Sequence, residues 1–581
     1  MTDRSLNLTG SDSALGLAAD TLARIASAMT TRGPLPWLIG LALALNGVVL
    51  FFPTVYSDGV VYGVLAKNIS TSGDWVNLMF LGQDWLDKPH LPFWVTAFSF
   101  ELFGVNSFAY VAPGLVFHLI GAAFTYKLAK HFYGTETALV SLLMYLTAVR
   151  LLWSMVDLRA EAYLVGEIVP ACYFWVKFDE RPKARYLLGG AAFTGLALMT
   201  KGLFVLGAIG GGLAIDWVRK KEWSTFTQPK WILALAASLA CALPELLALY
   251  AQFDAHPEKV IFDRTGVSGV RFFFWDSQFG RFFNFGPIQG RGSDPFFFVH
   301  TFLWAFLPWT VLFLAAVAAG ARTFKQHPEP ERRAFVVLSM SFAVPFVLFS
   351  LTRFQLDHYL DIVLPFAAIL SAHYLVVRLR TGVSAWVCRF QVVLAVLISV
   401  LGLGLSAYAF RGTGYLWTVL IPVAVLGFFV LRRADPLATK ALVFPALAVQ
   451  AVFVFLVVAN WMYFLRYDAA YKLARDLDSR PDLTLYDYRV RSVGLAFHAR
   501  QQHVYVETLD GIAKRDTEAF VLANDDDVDD VLKAFPGSRV VARESGIPNN
   551  RLAARLFNRT RWFPEQETTH LSVVRTGTVG R

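Results

Sequence analysis

Three cysteines in 581 residues are too few for a disulfide framework. Cys172, Cys241 and Cys388 all lie in apolar runs, which also removes the pattern of a small stapled scaffold. Charged residues make up only 17% of the chain against 56% hydrophobic, a balance that a soluble globular protein does not carry and a polytopic membrane protein does. No Walker-type or Rossmann glycine motif is present, so a soluble nucleotide has no cradle. No repeat or low-complexity tract interrupts the sequence. Residues 1–32 hold no cleavable apolar core between Arg4, Arg24 and Arg32, which argues against a signal peptide. Leu15, Leu22, Ile25 and Met29 instead give this segment the weak amphipathic spacing of a cytoplasmic interfacial helix.

What is abundant is apolar runs. They begin with residues 33–52 and recur at 106–128, 138–155, 161–176, 186–200, 202–218, 231–253, 295–321, 334–351, 360–379, 390–410, 416–431 and 441–464. Given the length a bilayer demands, this predicts about 13 crossings. If the loop after the first run lies outside, every alternate inside loop is basic, from Lys127 and Lys130 through Arg219, Lys220 and Lys221 to Arg432, Arg433 and Lys440. That is the positive-inside pattern. It also accounts for the net charge of +9 through topology and attraction to anionic membrane lipids, and no nucleic-acid partner is expected. An odd number of crossings leaves residues 466–581 outside. There, strand-like runs at 484–488, 503–507, 520–523 and 539–542 and a helical pattern at 526–535 predict a small α/β domain.

The same parity gathers the unusual polar residues on one face. Asp58 and Lys88 lie in the first outer loop (residues 54–105). Arg159 and Glu161 open a span, and Lys201 sits in the tight turn between two spans. Arg281 belongs to a long outer loop (254–294), and Asp357, His358 and Tyr359 lie at another outer end. Ionisable groups beside hydrocarbon are costly and mark function. The first loop also carries two helical spacings, Tyr62/Leu65/Ala66/Ile69 and Trp94/Phe98/Leu102, which predict amphipathic helices lying in the interface.

The ordered set Asp58, Tyr62, Ala66, Gly73-Asp74-Trp75, Asp87-Lys88-Pro89 and Trp94 resembles the first periplasmic loop of the bacterial polyprenyl-phosphate-sugar glycosyltransferases of the GT-C type. This is the ArnT group, related to protein O-mannosyltransferases. Arg159-Ala160-Glu161, Thr200-Lys201-Gly202, Arg281-Phe282 and His358-Tyr359 continue the likeness, with Glu161 where relatives more often carry Asp and His90 where they more often carry a second proline. The resemblance implies a GT-C fold in the bacterial inner membrane with the active site and the C-terminal domain periplasmic. The partners it implies are a polyprenyl-phosphate-linked sugar donor and a lipid A, glycan or other envelope acceptor. It further implies Asp58 and Glu161 as catalytic carboxylates, Lys88, Lys201 and Arg281 on the donor phosphate, and Tyr62, Asp87, Arg159, His358 and Tyr359 around the substrate cavity. An acidic residue at the position of Asp87 is sometimes associated with a divalent metal in relatives. No second ligand accompanies it here, and no metal is assigned.

Each assignment has a plain counterpart. Asp58 could cap a helix, Lys88 could snorkel, Arg159 and Glu161 could form a structural ion pair, and Tyr359 could anchor the interface. The resulting layout is a cytoplasmic segment (1–32), a membrane catalytic domain (33–465) and a periplasmic domain (466–581). A lipid or sugar flippase is the alternative reading, since intramembrane charge suits transport too. Transporters, however, show repeated halves with polar groups at mid-membrane. A non-catalytic lipid-binding scaffold would leave the Lys88, Lys201 and Arg281 set unexplained.

Overall fold

The computed structural model describes residues 35–51, 57–290, 294–381, 385–409, 442–454, 469–512, 518–546 and 569–576. Residues 1–32 and the apolar run 416–431 fall outside them. Helices α1 (Leu35–Val48), α2 (Ser57–Ser72), α3 (Leu91–Phe103), α4 (Ser107–Tyr133), α5 (Thr135–Leu146) and α6 (Val149–Val156) open the chain. They are followed by α7 (Ala160–Glu180), α8 (Ala184–Lys201), α9 (Val205–Lys220), α10 (Pro229–Cys241) and α11 (Leu243–Leu249). Then come α12 (Phe297–Ala305), α13 (Thr310–Thr323), α14 (Glu329–Leu351), α15 (Leu364–Thr381) and α16 (Ala385–Ala409).

Among the described residues, three helical runs are long and apolar enough to cross a bilayer singly: Ser107–Tyr133, Glu329–Leu351 and Asp357–Leu379. Three bent pairs, α5 with α6, α10 with α11, and α12 with α13, raise that to six if each is one span. The 13 apolar runs are not all represented in this number, because the run 416–431 and the second half of 441–464 lie outside the described residues; among the runs that are described, local sequence sets the difference. Helix α7 is 21 residues long but carries Glu161, Glu167, Lys177, Asp179 and Glu180, while several other helices have only 13 to 16 residues. The packing is close. At Gly166 of α7 a side chain would collide with the backbone of Phe117 in α4, so only glycine permits that approach. Outward-facing apolar side chains such as Leu188, Leu235, Val347 and Val400 form a surface suited to lipid and not to water.

The first loop is built largely as its spacing predicts. In α2, Leu65, Ala66 and Ile69 are buried. In α3 the buried side is Phe93, Ala97 and Phe100, whereas Phe98 and Leu102 are about 60% exposed, as an interfacial helix requires. A short antiparallel ribbon, β1 (Met79–Phe80) with β2 (Gln83–Asp84), joins them.

The C-terminal residues form a five-stranded mixed sheet with helices α17 (Ala469–Asp476), α18 (Val493–His498) and α19 (Val528–Ala534). Its strands are β3 (Leu485–Tyr488), β4 (His503–Val506), β5 (Phe520–Asn524), β6 (Arg539–Gly546) and β7 (Thr569–Arg575), in the order β4-β3-β5-β7-β6. Strand β3 is parallel to both neighbours; β7 runs antiparallel to β5 and β6 and was not foreseen. This unit docks on the first loop. Phe497 of α18 lies over Gly63 of α2 and against Tyr110 (ring centroids 5.7 Å apart). Buried Lys67 donates to the carbonyl oxygens of Ala496 (2.8 Å) and Ala499, and the Tyr505 amide donates to the Leu81 carbonyl (3.2 Å).

Phe497→Ala removes the side chain that fills this seam and is expected to cost about 3 kcal/mol of docking free energy. Gly63→Val, which drives a methyl into the same ring, should act alike. Both should speed tryptic cleavage between the helical bundle and the sheet unit; wild-type cleavage rates in both variants would refute the seam.

Candidate active site

Six of the ten residues singled out from the sequence line one cavity: Asp87, Lys88, Glu161, Lys201, Arg281 and Tyr359. It holds about 770 Å³ including its open mouth. Local sequence explains how each arrives there. Glu161 stands in the first turn of α7 and Lys201 at the last residue of α8, where the helix dipoles favour an acid and a base respectively. Gly202 then turns the chain with φ +91°. Arg281 follows a stretch of wide-turn π-helix, Phe272–Gly280, and is almost fully buried. Gln278 in that stretch donates to the Lys201 carbonyl (3.2 Å), tying the long loop to the end of α8.

The charges pair across the cavity. Asp87 bridges two cations, Lys88 Nζ at 2.8 Å from one carboxylate oxygen and the Arg281 guanidinium on the other. Arg281 also donates to the Asp87 carbonyl (3.2 Å) and lies over the Phe354 ring. Burial pushes the Asp87 carboxyl upward, but Lys88 and Arg281 outweigh it and hold the group well below the carboxylate range. Lys88 is lowered to about 8, first by burial and then by the neighbouring positive charge of Arg281. Lys201 is bonded to Glu161 and sits 4.5 Å from the centre of the Tyr359 ring. The rest of the wall is mainly apolar, with Leu164, Phe204, Phe282, Leu348, Phe349 and Ile362, and adds the neutral polar side chains of Ser277, Gln278 and Thr352.

The other predicted residues stand beside this cavity. His358 Nε2 lies 3.8 Å from a Glu161 oxygen. Arg159 pairs with Asp157 (2.8 Å) and reaches to 3.4 Å from His358 Nδ1. The ion pair foreseen as the plain alternative for Arg159 and Glu161 is therefore realised with different partners, Asp157 and Lys201. Tyr62 packs on Phe93 (centroids 5.1 Å apart). Burial, then Glu161 and Asp87, raise its phenol well above the ordinary value, so it stays a neutral hydroxyl. The side chain of Asp58 lies outside the described residues. Its backbone is the second residue of α2, next to Gly59, whose carbonyl accepts from Tyr110 (2.5 Å) and whose α-carbon faces Asp157 and Leu158.

The family model of the dolichyl-phosphate-mannose-protein mannosyltransferases matches residues 87–247. The undecaprenyl phosphate-alpha-4-amino-4-deoxy-L-arabinose arabinosyl transferase of Pseudomonas aeruginosa is 26% identical over 434 residues, 72% of this chain and 69% of the relative. The crystal structure of ArnT from Cupriavidus metallidurans bound to undecaprenyl phosphate superposes with a TM-score of 0.72 at 19% identity, covering 95% of this chain and 99% of that one. Its apo form gives 0.69 at 20%, over 93% and 97%. The chain has the GT-C fold of these ArnT structures and is similar in sequence to the ArnT-type glycosyltransferases. The matched family segment holds Asp87, Lys88, Arg159, Glu161 and Lys201, whereas Arg281 and Tyr359 reach the cavity from beyond it and His358 stands beside it.

Two buried pairs were not anticipated. Arg150, which the hydropathy pattern absorbs into an apolar run, binds Asp361 (3.1 Å) behind His358, with Ser154 donating to the same carboxylate. The other is His90 with Glu245, both fully buried. Glu245 accepts from the His90 amide (2.9 Å) and meets His90 Nδ1 at 3.1 Å, while Nε2 lies 3.0 Å from the Val76 carbonyl. This clamp fixes the chain two residues after Lys88. Its signals were visible separately, as His90 in place of the second proline that the family resemblance leads one to expect and as an intramembrane glutamate beside Pro244.

Glu245→Ala leaves the buried His90 ring and its backbone amide without their partner and should destabilise the protein by about 1–3 kcal/mol. Glu245→Gln keeps the volume and one hydrogen bond, and should fold while raising the KM for donor more than it lowers kcat. A melting temperature unchanged in Glu245→Ala would show that the clamp carries no weight.

Proposed function

We propose that this chain transfers a sugar from a polyprenyl-phosphate donor to a lipid A, glycan or other envelope acceptor at the periplasmic face of the bacterial inner membrane. The observation that carries the reading is the convergence of Lys88, Lys201 and Arg281, with two carboxylates, in a cavity whose other walls are mainly apolar. A lipid phosphate has that polarity. The named activity of the Pseudomonas aeruginosa relative and the ligand of the Cupriavidus metallidurans structure support it. The alternating basic loops and the sheet unit seated on the first loop support a common outer face for residues 54–105 and 466–581.

In this reading the acceptor hydroxyl attacks the anomeric carbon of the donor sugar, and the bond from that carbon to the phosphate oxygen breaks. Its electron pair leaves with the lipid phosphate, whose charge grows from one towards two. Lys88, Lys201 and Arg281 stabilise that growing charge more than the ground state, which is what accelerates the step. Asp87 holds Lys88 and Arg281 side by side, and Glu161 holds Lys201 and faces the sugar. Asp58 takes the proton of the acceptor hydroxyl. Tyr62, Arg159, His358 and Tyr359 frame the sugar end of the cavity.

Asp58→Asn should abolish transfer, by about a hundredfold or more, while leaving undecaprenyl-phosphate binding within about twofold; full transfer by the variant, followed by mass spectrometry of the glycolipid product, would overturn the role. The pH dependence follows from Lys88. With its pKa lowered to about 8, the side chain is an ammonium at neutral pH and loses its charge as pH rises through that value. Donor affinity should fall over the same interval, and Lys88→Arg should move the fall to higher pH.

A further inference from the structure

A second cavity lies at the other end of the same helices, and nothing in the sugar-transfer reading uses it. It holds about 1290 Å³ including its mouth and is bounded by the end of α4, by α13, by the start of α14 and by the end of α15. Helix α14 joins the two cavities, with Arg332 lining this one and Leu348 the active site. At 1.5 Å per residue the separation along α14 is about 24 Å, close to the thickness of the hydrocarbon core. The second cavity therefore opens at the opposite membrane surface.

Its lining has two characters. Ala316, Ala319, Phe335 and Leu370 make an apolar wall. Around the mouth stand Arg332, Arg378, His327 and His373, against the single acid Glu331, which is engaged by His327 Nδ1 at 2.6 Å. Arg332 is paired with Glu329 (3.1 Å). Arg378 lies over the Tyr374 ring (5.4 Å) and has no carboxylate partner among the described residues. His373 stacks on Tyr133 with ring centroids 3.8 Å apart, giving the mouth a flat aromatic floor. An unneutralised guanidinium at the edge of a bilayer seeks an anion, and arginine matches a phosphate with two parallel hydrogen bonds. Apolar walls behind the charge suit acyl chains and have no use for a free ion.

We propose that this cavity binds an anionic phospholipid of the leaflet opposite the active site, its phosphate on Arg378 and Arg332 and an acyl chain along Phe335 and Leu370. Phosphatidylglycerol is the probe of choice, because it shares its acyl chains with zwitterionic phosphatidylethanolamine and differs in net charge. The lipid carrier of the sugar also bears a phosphate, and inorganic phosphate offers that group without a tail, so both enter the test.

Native mass spectrometry of the full-length protein titrated with each of the four ligands decides the matter. The wild type should retain phosphatidylglycerol over phosphatidylethanolamine. Arg332→Ala with Arg378→Ala should lower that retention about tenfold, as expected for lost charge-assisted hydrogen bonds. Ala319→Phe fills the cavity and leaves the charges in place; it should displace the lipid as well. Both variants should keep undecaprenyl-phosphate binding and sugar transfer, so failure here is distinct from failure of the proposed activity. Equal retention of the two phospholipids by the wild type would overturn the proposal, as would unchanged phosphatidylglycerol retention in both variants. Displacement of the lipid by equimolar inorganic phosphate, or a selective loss of undecaprenyl phosphate in the arginine variant, would assign the cavity to another ligand and overturn it equally.

Discussion

A charge placed next to hydrocarbon must find a counter-charge, because water is not there to stabilise it. The active-site cavity is arranged around that constraint. Asp87 holds Lys88 and Arg281 together, Glu161 holds Lys201, and Asp157 holds Arg159. Behind them Asp361 neutralises Arg150. Asp87, Glu161 and Asp361 each reach a cation from a distant part of the chain, so these pairs also lock helices and loops into register. The same pairs therefore do two things at once: they hold the cations charged and close together, and they tie the segments that carry them.

Much of this was legible in the sequence, for identifiable reasons. Interfacial helices announce themselves by local spacing, and α2 and α3 appear where Tyr62/Leu65/Ala66/Ile69 and Trp94/Phe98/Leu102 put them. Alternating basic loops are a property of the chain and need no tertiary knowledge. They were enough to bring Lys88, Glu161, Lys201, Arg281 and Tyr359 to one side, and the structure brings these five to one cavity. Four strands of the sheet were visible as short alternating runs. Strand β7 was not, since its place is set by pairing with β5 and β6 rather than by its own pattern.

What stayed hidden was pairing at long range. Arg150 reads as a blemish in an apolar run until Asp361, far along the chain, is seen to meet it. His90 and Glu245 each looked like a departure from expectation, and only the fold shows that one answers the other. The number of crossings resists a sequence count for a related reason. A helix that must carry Glu161, Glu167 and Lys177 to the places they serve cannot also be uniformly apolar, so hydropathy and function pull the same residues in opposite directions.

The seam between Lys67 and the α18 carbonyls joins residues 429 or more positions apart. The loop helix is thereby pinned from above and has no freedom to rise like a hinged cover. Under the proposed function, a long isoprenoid would then have to enter edgewise from the surrounding lipid, along Phe204, Phe282 and Phe349 of the cavity wall. In that reading the protein resembles a dock with a fixed roof and an open side, and the membrane itself delivers the cargo.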